Sequence, residues 1–301
     1  MSTTVVERTN QDVRQRFAPG AKRRERVDKG MQIGFLLATV FPVIVLAALL
    51  ITIWLDGWNW LSWDFLSNPP SRTPEIAGIE PAIWGTIWLI GLTAVFSFIV
   101  GVGAAIYLEE YAERTWFNRI LQTNISNLAG VPSVVYGLLG LGILVNMLAL
   151  GRNVLTGALT LGLLILPIII IASQEALLAV PLSLRQAAYA VGATKWQVLR
   201  SHVLPAAGPG ILTGTILALS RAIGETAPVV VAGAASYLLF RPESPFDQYM
   251  PLPVLIYTWT SRPQEEFQEL AAAAIIVLLV LLLAMNALAV YLRQRLGNER
   301  W

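Results

Sequence analysis

Cysteine is absent from this chain of 301 residues, and histidine occurs once, at His202. Without cysteine there is neither a disulfide framework nor a thiolate metal site. A single histidine cannot build an imidazole metal cluster, so His202 reads as a surface or interface residue. Charge is scarce as well: Asp, Glu, Lys and Arg make up 13% of the residues, about half the share of an ordinary soluble domain. The net charge of +2 is too small to argue for a nucleic-acid partner. No G-x-x-x-x-G-K-[ST] phosphate loop occurs, so any ATP is hydrolysed on another chain. H-E-x-x-H and G-x-S-x-G are also missing. An intramembrane enzyme would therefore have to rely on Ser220 with Glu225 as its base.

What the chain has is apolar length. Hydrophobic residues make up 55% of the sequence and gather into six runs, at about 31–55, 83–108, 131–150, 154–179, 207–234 and 269–292. Each is long enough to cross a hydrocarbon core about 30 Å thick as a helix. The first run is too long for a signal-peptide core and lacks a small-residue cleavage site, so it reads as a retained helix. The expected class is an all-α integral membrane protein with six transmembrane helices. Sixteen Lys and Arg fall on one side of this arrangement and only Arg72, Arg152, Arg241 and Arg262 on the other. That bias places both termini in the cytoplasm.

Between the runs the domain organisation follows. Residues 1–30 form a polar tail, read as a solvated topology anchor or a segment lying on anionic headgroups. Residues 56–82, with "SNPPSRTPE", are expected to be an irregular extracytoplasmic connector, flanked by the interfacial residues Trp58, Trp60 and Trp63. Residues 83–292 carry the remaining five spans, and 293–301 a short cytoplasmic tail. The aromatics of 235–268 suit either the outer headgroup level or a surface for an external partner.

The cytoplasmic stretch "VPLSLRQAAYAVGATKWQVLRSHVLPAAGPG" (180–210) is patterned. Ser183 with Gln186, and Thr194 with Gln197, each fit a capping box. Gly192 stands where a left-handed residue ends a helix, and Pro205 should stop the second helix. The spacing predicts two short helices joined by a tight turn. Leu184, Ala187, Ala188, Val191, Trp196, Leu199 and Val203 would share one apolar side. Such a hairpin either packs on its own chain or inserts into a groove of another protein.

In the fifth run, "LALSRAIGETAPVVV" (217–231), Arg221 and Glu225 stand alone. A charge at a bilayer centre costs about 2.5–3.5 kcal/mol, while each strongly apolar residue returns only about 0.3–0.6 kcal/mol. Four residues apart, the two share a helix face and can pair. Gly214, Ala218, Gly224 and Pro228 fall on the same stripe, which permits close helix approach or lines an opening, and Pro228 invites a kink. Ile216, Leu219, Ile223 and Val230 suit lipid or core on the far side. A guanidinium donates two parallel hydrogen bonds to an oxyanion and cannot lose its charge. The pair reads either as a transient anion station with Glu225 as the resting partner, or as a structural pair fixing helix packing.

"QAAYAVG", nine residues, then "HVLP" resembles the EAA loop of ATP-binding-cassette (ABC) importer permeases at Gln186, Ala187, Ala188, Gly192, Leu204 and Pro205. Gln186 replaces the usual Glu and His202 the usual Ile. "AGIEPAIWGT" (77–86), "GVGAAIYLEEYAE" (101–113), "GVPSVVYG" (130–137), "SRAIGETAPVVVAG" (220–233) and, more loosely, "LPVLIYTWT" (252–260) are similar to phosphate-specific permeases of the PstA type. The resemblance runs from about 77 to 292. It implies a type I ABC importer permease fold and a multi-pass subunit in the cytoplasmic membrane of a prokaryote, with 183–205 as the coupling loop docking on an ATPase. It further implies a PstC-like second permease, a PstB-like ATPase dimer, a PstS-like extracytoplasmic phosphate-binding protein and no cofactor. By the same resemblance Arg221, Glu225, Thr226 and Ser133 lie on the substrate pathway, with Pro167 a further contributor. Sulfate or molybdate as the anion, and a self-sufficient ion-coupled carrier, are the alternatives.

Overall fold

The computed structural model describes residues 21–298 apart from 114 and 236. Residues 1–20 and 299–301, on which the expected tails largely rest, lie outside the described residues. Among those described, the regular structure is entirely helical, with no strand. It divides into two units, 1–55 and 56–301.

The first unit carries helix α1 (Ala21–Gly57), which begins ten residues before the predicted span and includes Pro42. Phe35, Leu37, Phe41, Ile44 and Leu55 are all exposed along it. A helix with apolar side chains exposed all round needs lipid or a partner around it.

In the second unit, residues 56–82 are not the irregular connector expected. Ser62 caps α2 (Trp63–Ser67), its hydroxyl accepting from the Phe65 amide at 3.1 Å. Phe65, Ala77 and Ile79 are buried with Trp259 and Phe267, so apolar anchors hold a proline-rich segment in place. Trp58 and Trp63 stay exposed, whereas the Trp60 indole donates to Glu269 at 2.7 Å.

The second unit is built on α3 (Glu80–Ile106), α6 (Val154–Leu178) and α9 (Leu204–Ile223). Leu89, Ile90, Leu161, Ile165, Ile169, Ala218 and Ala222 fill the space between them. Small residues allow this closeness. Gly210 and Gly214 of α9 face Ala176 and Ala172 of α6, and a Cβ at Gly210 would sit 2.8 Å from the Ala176 methyl. This is the small-residue contact by which helices pack in lipid, where apolar burial gives no preference for protein over solvent. Gly214 and Ala218 therefore pack helices together and line no opening. Pro167 is likewise buried within α6.

Among the described residues, five helices are long and apolar enough to cross a membrane, or six if a bent pair counts as one span. That pair is α4 (Trp116–Leu128) and α5 (Ser133–Leu139, continued by a widened turn to Met147), set at 111° to each other. The predicted third span, 131–150, covers only α5. α4 was not anticipated, because its apolar residues alternate with Asn, Gln, Thr and Ser. The bend is built from the Pro132 break and fastened by the Tyr136 hydroxyl, which donates to the Leu128 carbonyl at 2.9 Å.

The fifth run is interrupted. α9 ends at Ile223, and α10 (Ala227–Ala232) starts after Gly224, Glu225 and Thr226. A continuous helix would require the residue 228 amide to bond the Gly224 carbonyl, and Pro228 has no amide. The segment 235–268 is also more ordered than a headgroup-level loop. It holds α11 (Leu252–Thr260), packed on α12 (Glu265–Asn298) through Leu255, Trp259 and Leu270. Tyr249 and Trp259 are buried, while Tyr237, Phe240, Phe246 and Tyr257 remain exposed. Burial raises the Tyr249 phenol above its ordinary pKa.

Candidate functional site

Two groups of residues stand out from this frame, one at the break in the fifth run and one at the hairpin. At the break, Arg221 occupies the last turn of α9 and Glu225 the short gap beyond it. The Arg221 Nε donates to Glu225 Oε1 at 3.3 Å. The side chains are 50% and 18% exposed, respectively. The expected pair thus forms, but it is not buried within this chain. Its single contact leaves both terminal guanidinium nitrogens without a protein acceptor among the described residues. Arg221 sits at the edge of the face that packs on α6, next to exposed Leu217.

Thr226 precedes α10 and caps nothing with its side chain. Ser133 is the first residue of α5, directly after Pro132, and is half-buried. α5 and α10 pack in contact: a Cβ at Gly137 would lie 2.8 Å from Pro228 Cα and 2.9 Å from its carbonyl oxygen. The fold therefore brings the helix of Ser133 alongside the helix that starts after Thr226.

One polar neighbour went unread in the sequence. The Ser220 hydroxyl contacts Asn286 Oδ1 at 2.7 Å and also donates to the Ile216 carbonyl at 2.8 Å. About two turns earlier on α9, Thr213 Oγ1 accepts from Arg293 at 2.9 Å. Polar bonds thus join α9 to α12. A lone asparagine inside a long apolar helix is itself a signal, since it must find a partner there.

At the hairpin, α7 (Leu182–Ala190) is followed by Gly192 at φ +83°, then α8 (Lys195–Val198). Gly192 adopts the left-handed conformation expected of it. The Thr194–Gln197 capping box is present, the Thr194 amide donating to Gln197 Oε1 at 2.7 Å. The Ser183–Gln186 box is not: Pro181 precedes the first turn, no side chain caps it, and Ser183 lies inside the helix. Pro181 itself occupies the N-cap position, which puts Ser183 in the first helical turn, where its side chain does not cap.

Pro205 does not stop the second helix. A widened turn at Leu199–Val203, closed by the Leu204 amide on the Leu199 carbonyl, leads directly into α9. That i→i+5 turn re-spaces the backbone just where a proline would otherwise clash with the preceding turn.

The apolar side of the hairpin divides. Ala188, Val198, Leu199 and Val203 are buried against the chain's own Leu177, Ala105 and Ile170, with Leu184 packed beside them. Leu182, Tyr189, Val191 and Trp196 point away, Val191 being 85% and Trp196 55% exposed. Gln186 and Ala187 are exposed, whereas Leu204 and Pro205 are half-buried where α9 begins. The hairpin is both self-packing and equipped with an uncovered apolar face.

Comparisons with known proteins agree with this architecture. Residues 97–298 match the family "Binding-protein-dependent transport system inner membrane component". The chain is 36% identical over 225 residues to "Probable ABC transporter permease protein YqgH" of Bacillus subtilis (strain 168), covering 73% of this chain and 66% of that protein. It is 32% identical over 254 residues to "Phosphate transport system permease protein PstA 1" of Mycobacterium tuberculosis (strain CDC 1551 / Oshkosh), covering 82% of each. Among solved structures, a bacterial alginate ABC transporter in complex with an alginate pentasaccharide-bound periplasmic protein superposes with a TM-score of 0.67. That likeness is at 16% identity and covers 92% of this chain and 98% of that one. The fold is that of type I ABC importer permeases, which are membrane pore subunits and not themselves enzymes, working with an ATPase and a substrate-binding protein. The chain belongs to the binding-protein-dependent transport system inner membrane component family.

Proposed function

We propose that this chain is the phosphate permease subunit of an ATP-driven importer and forms half of its translocation pathway. It resides in a prokaryotic inner membrane with both termini in the cytoplasm. The observation that carries the anion site is the Arg221–Glu225 pair: one 3.3 Å hydrogen bond, at a helix break, on a face left open by the chain. A guanidinium held by one bond can exchange that partner for the two parallel bonds of a phosphate. Glu225 remains beside the anion, repels it and returns to Arg221 as it leaves, which keeps the station transient. Thr226 and Ser133 supply hydroxyls along the same route.

The exposed Leu182, Tyr189, Val191 and Trp196 form the face that meets the ATPase, with Gln186, Ala187, Ala188, Gly192, Leu204 and Pro205 setting its shape. A PstC-like permease completes the pore, a PstB-like ATPase dimer drives it and a PstS-like binding protein delivers phosphate from outside. Sulfate or molybdate is the second reading, because the guanidinium chemistry is common to all these oxyanions.

The test is reconstitution of the complete complex in liposomes. Labelled phosphate should enter only with ATP and loaded binding protein, and excess sulfate should not compete. ATP-dependent entry of sulfate in preference to phosphate would overturn the choice of anion. Uptake by the purified chain alone, driven by an ion gradient, would overturn the importer reading.

A further inference from the structure

We propose that Arg185 is a positioning residue that transmits movement of the hairpin to the spanning helices. This rests on the reading of the hairpin as the ATPase-docking element. Arg185 lies in α7 one helical turn from both Leu182 and Tyr189, at the border between the exposed apolar face and the buried Ala188. Its Nη1 donates to Glu110 Oε1, and its Nη2 donates to the Leu177 carbonyl at 2.8 Å. Glu110 belongs to the widened turn Tyr107–Tyr111 that closes α3, and Leu177 to the last turn of α6. One guanidinium therefore grips two different helices of the core.

The grip is sheltered. The Arg185 and Glu110 side chains are only 18% and 9% exposed, which strengthens charge-assisted bonds relative to those at an open surface. The second hairpin helix holds the same turn, the Lys195 ammonium lying 4.9 Å from the centre of the Tyr111 ring. Both hairpin helices thus meet one five-residue turn at the end of α3. α3 and α6 in turn pack against α9, whose far end carries Arg221. A continuous set of contacts runs from the uncovered face, through Arg185, to the break in the fifth run.

Attachment and transmission are separable here. Ala188, Val198, Leu199 and Val203 hold the hairpin by apolar packing whether or not Arg185 is present. Apolar packing is non-directional, whereas a planar guanidinium bonded to two acceptors on different helices fixes both distance and orientation. Losing Arg185 should leave docking intact and disconnect it from the pore.

The experiment uses the full importer in liposomes, with Arg185→Ala, Arg185→Lys and Glu110→Gln compared with the unaltered chain. The readouts are ATPase co-purification, ATP hydrolysed and phosphate moved. In Arg185→Ala, co-purification and hydrolysis should persist while phosphate moved per ATP falls at least tenfold. Glu110→Gln, which keeps the shape and removes the charge, should reproduce much of that loss. Arg185→Lys should recover part of it, since an ammonium can hold Glu110 but not both acceptors. Unchanged transport per ATP in Arg185→Ala or in Glu110→Gln overturns the proposal. If Arg185→Ala fails to assemble, an uncoupled Glu110→Gln still supports it, while failure of both to assemble makes the contact purely structural and overturns it. If the unaltered chain itself retains no ATPase, the docking reading fails instead.

Discussion

Replacing Arg221 by glutamine separates an anion station from a packing device by magnitude. A buried ion pair that loses one partner destabilises its protein by about 3–5 kcal/mol, because the remaining charge is left uncompensated. The observed pair is of another kind. Arg221 is half exposed and meets Glu225 through one bond of 3.3 Å, and pairs in that setting contribute about 0–1 kcal/mol. The stability of Arg221→Gln should therefore fall by no more than about 1 kcal/mol. Its hold on phosphate should fall far more. A hydrogen bond to a charged group is worth about 1.5–3 kcal/mol, which is about 10- to 100-fold at 1.4 kcal/mol per decade. Labelled phosphate uptake by cells expressing the variant should drop by that order, with the amount of protein in the membrane and its thermal unfolding in detergent nearly unchanged. Arg221→Lys should also be impaired, since an ammonium cannot present two parallel donors. A variant that loses several kcal/mol of stability, or fails to accumulate, would refute the station and favour a packing role. Normal uptake with normal stability would refute both.

Two further outcomes are expected. Gly137→Ala places a methyl against the Pro228 backbone, 2.8 Å from its Cα, and overpacking of this kind costs about 1–3 kcal/mol; a matching fall in the unfolding temperature of the purified subunit checks it, and no change would mean that α5 and α10 pack less closely than described. Val191→Asp puts a carboxylate on the hairpin's exposed face without disturbing its buried side. Membrane insertion should be normal while ATPase co-purification falls at least about tenfold, the loss of an apolar anchor from an interface centre being about 2 kcal/mol or more; full retention would mean that this face does not dock.

The parts of this protein that are local in the chain were legible in the order of its residues. Apolar runs of spanning length, the left-handed turn at Gly192 and the Thr194–Gln197 capping box each depend on neighbours within a few positions. The Arg221–Glu225 contact was legible for the same reason, the two being four residues apart, although Glu225 lies just past the end of α9. Local patterns also misled where a competing local feature won: the helix started after Pro181 and left Ser183 inside its first turn, and the widened turn at Leu199–Val203 let the helix continue through Pro205. What only the tertiary structure decided was which of several plausible partners each side chain meets. Arg185 finds Glu110 across 75 residues, Ser220 finds Asn286 across 66, and Gln122 and Gln174 exchange amide bonds across 52. Whether Gly214 lines an opening or a contact was set by Ala172 of another helix. Hydrophobicity is summed along the chain and can be read there, but a hydrogen bond or a close fit depends on where two distant backbones are brought, and that is fixed only when the helices pack.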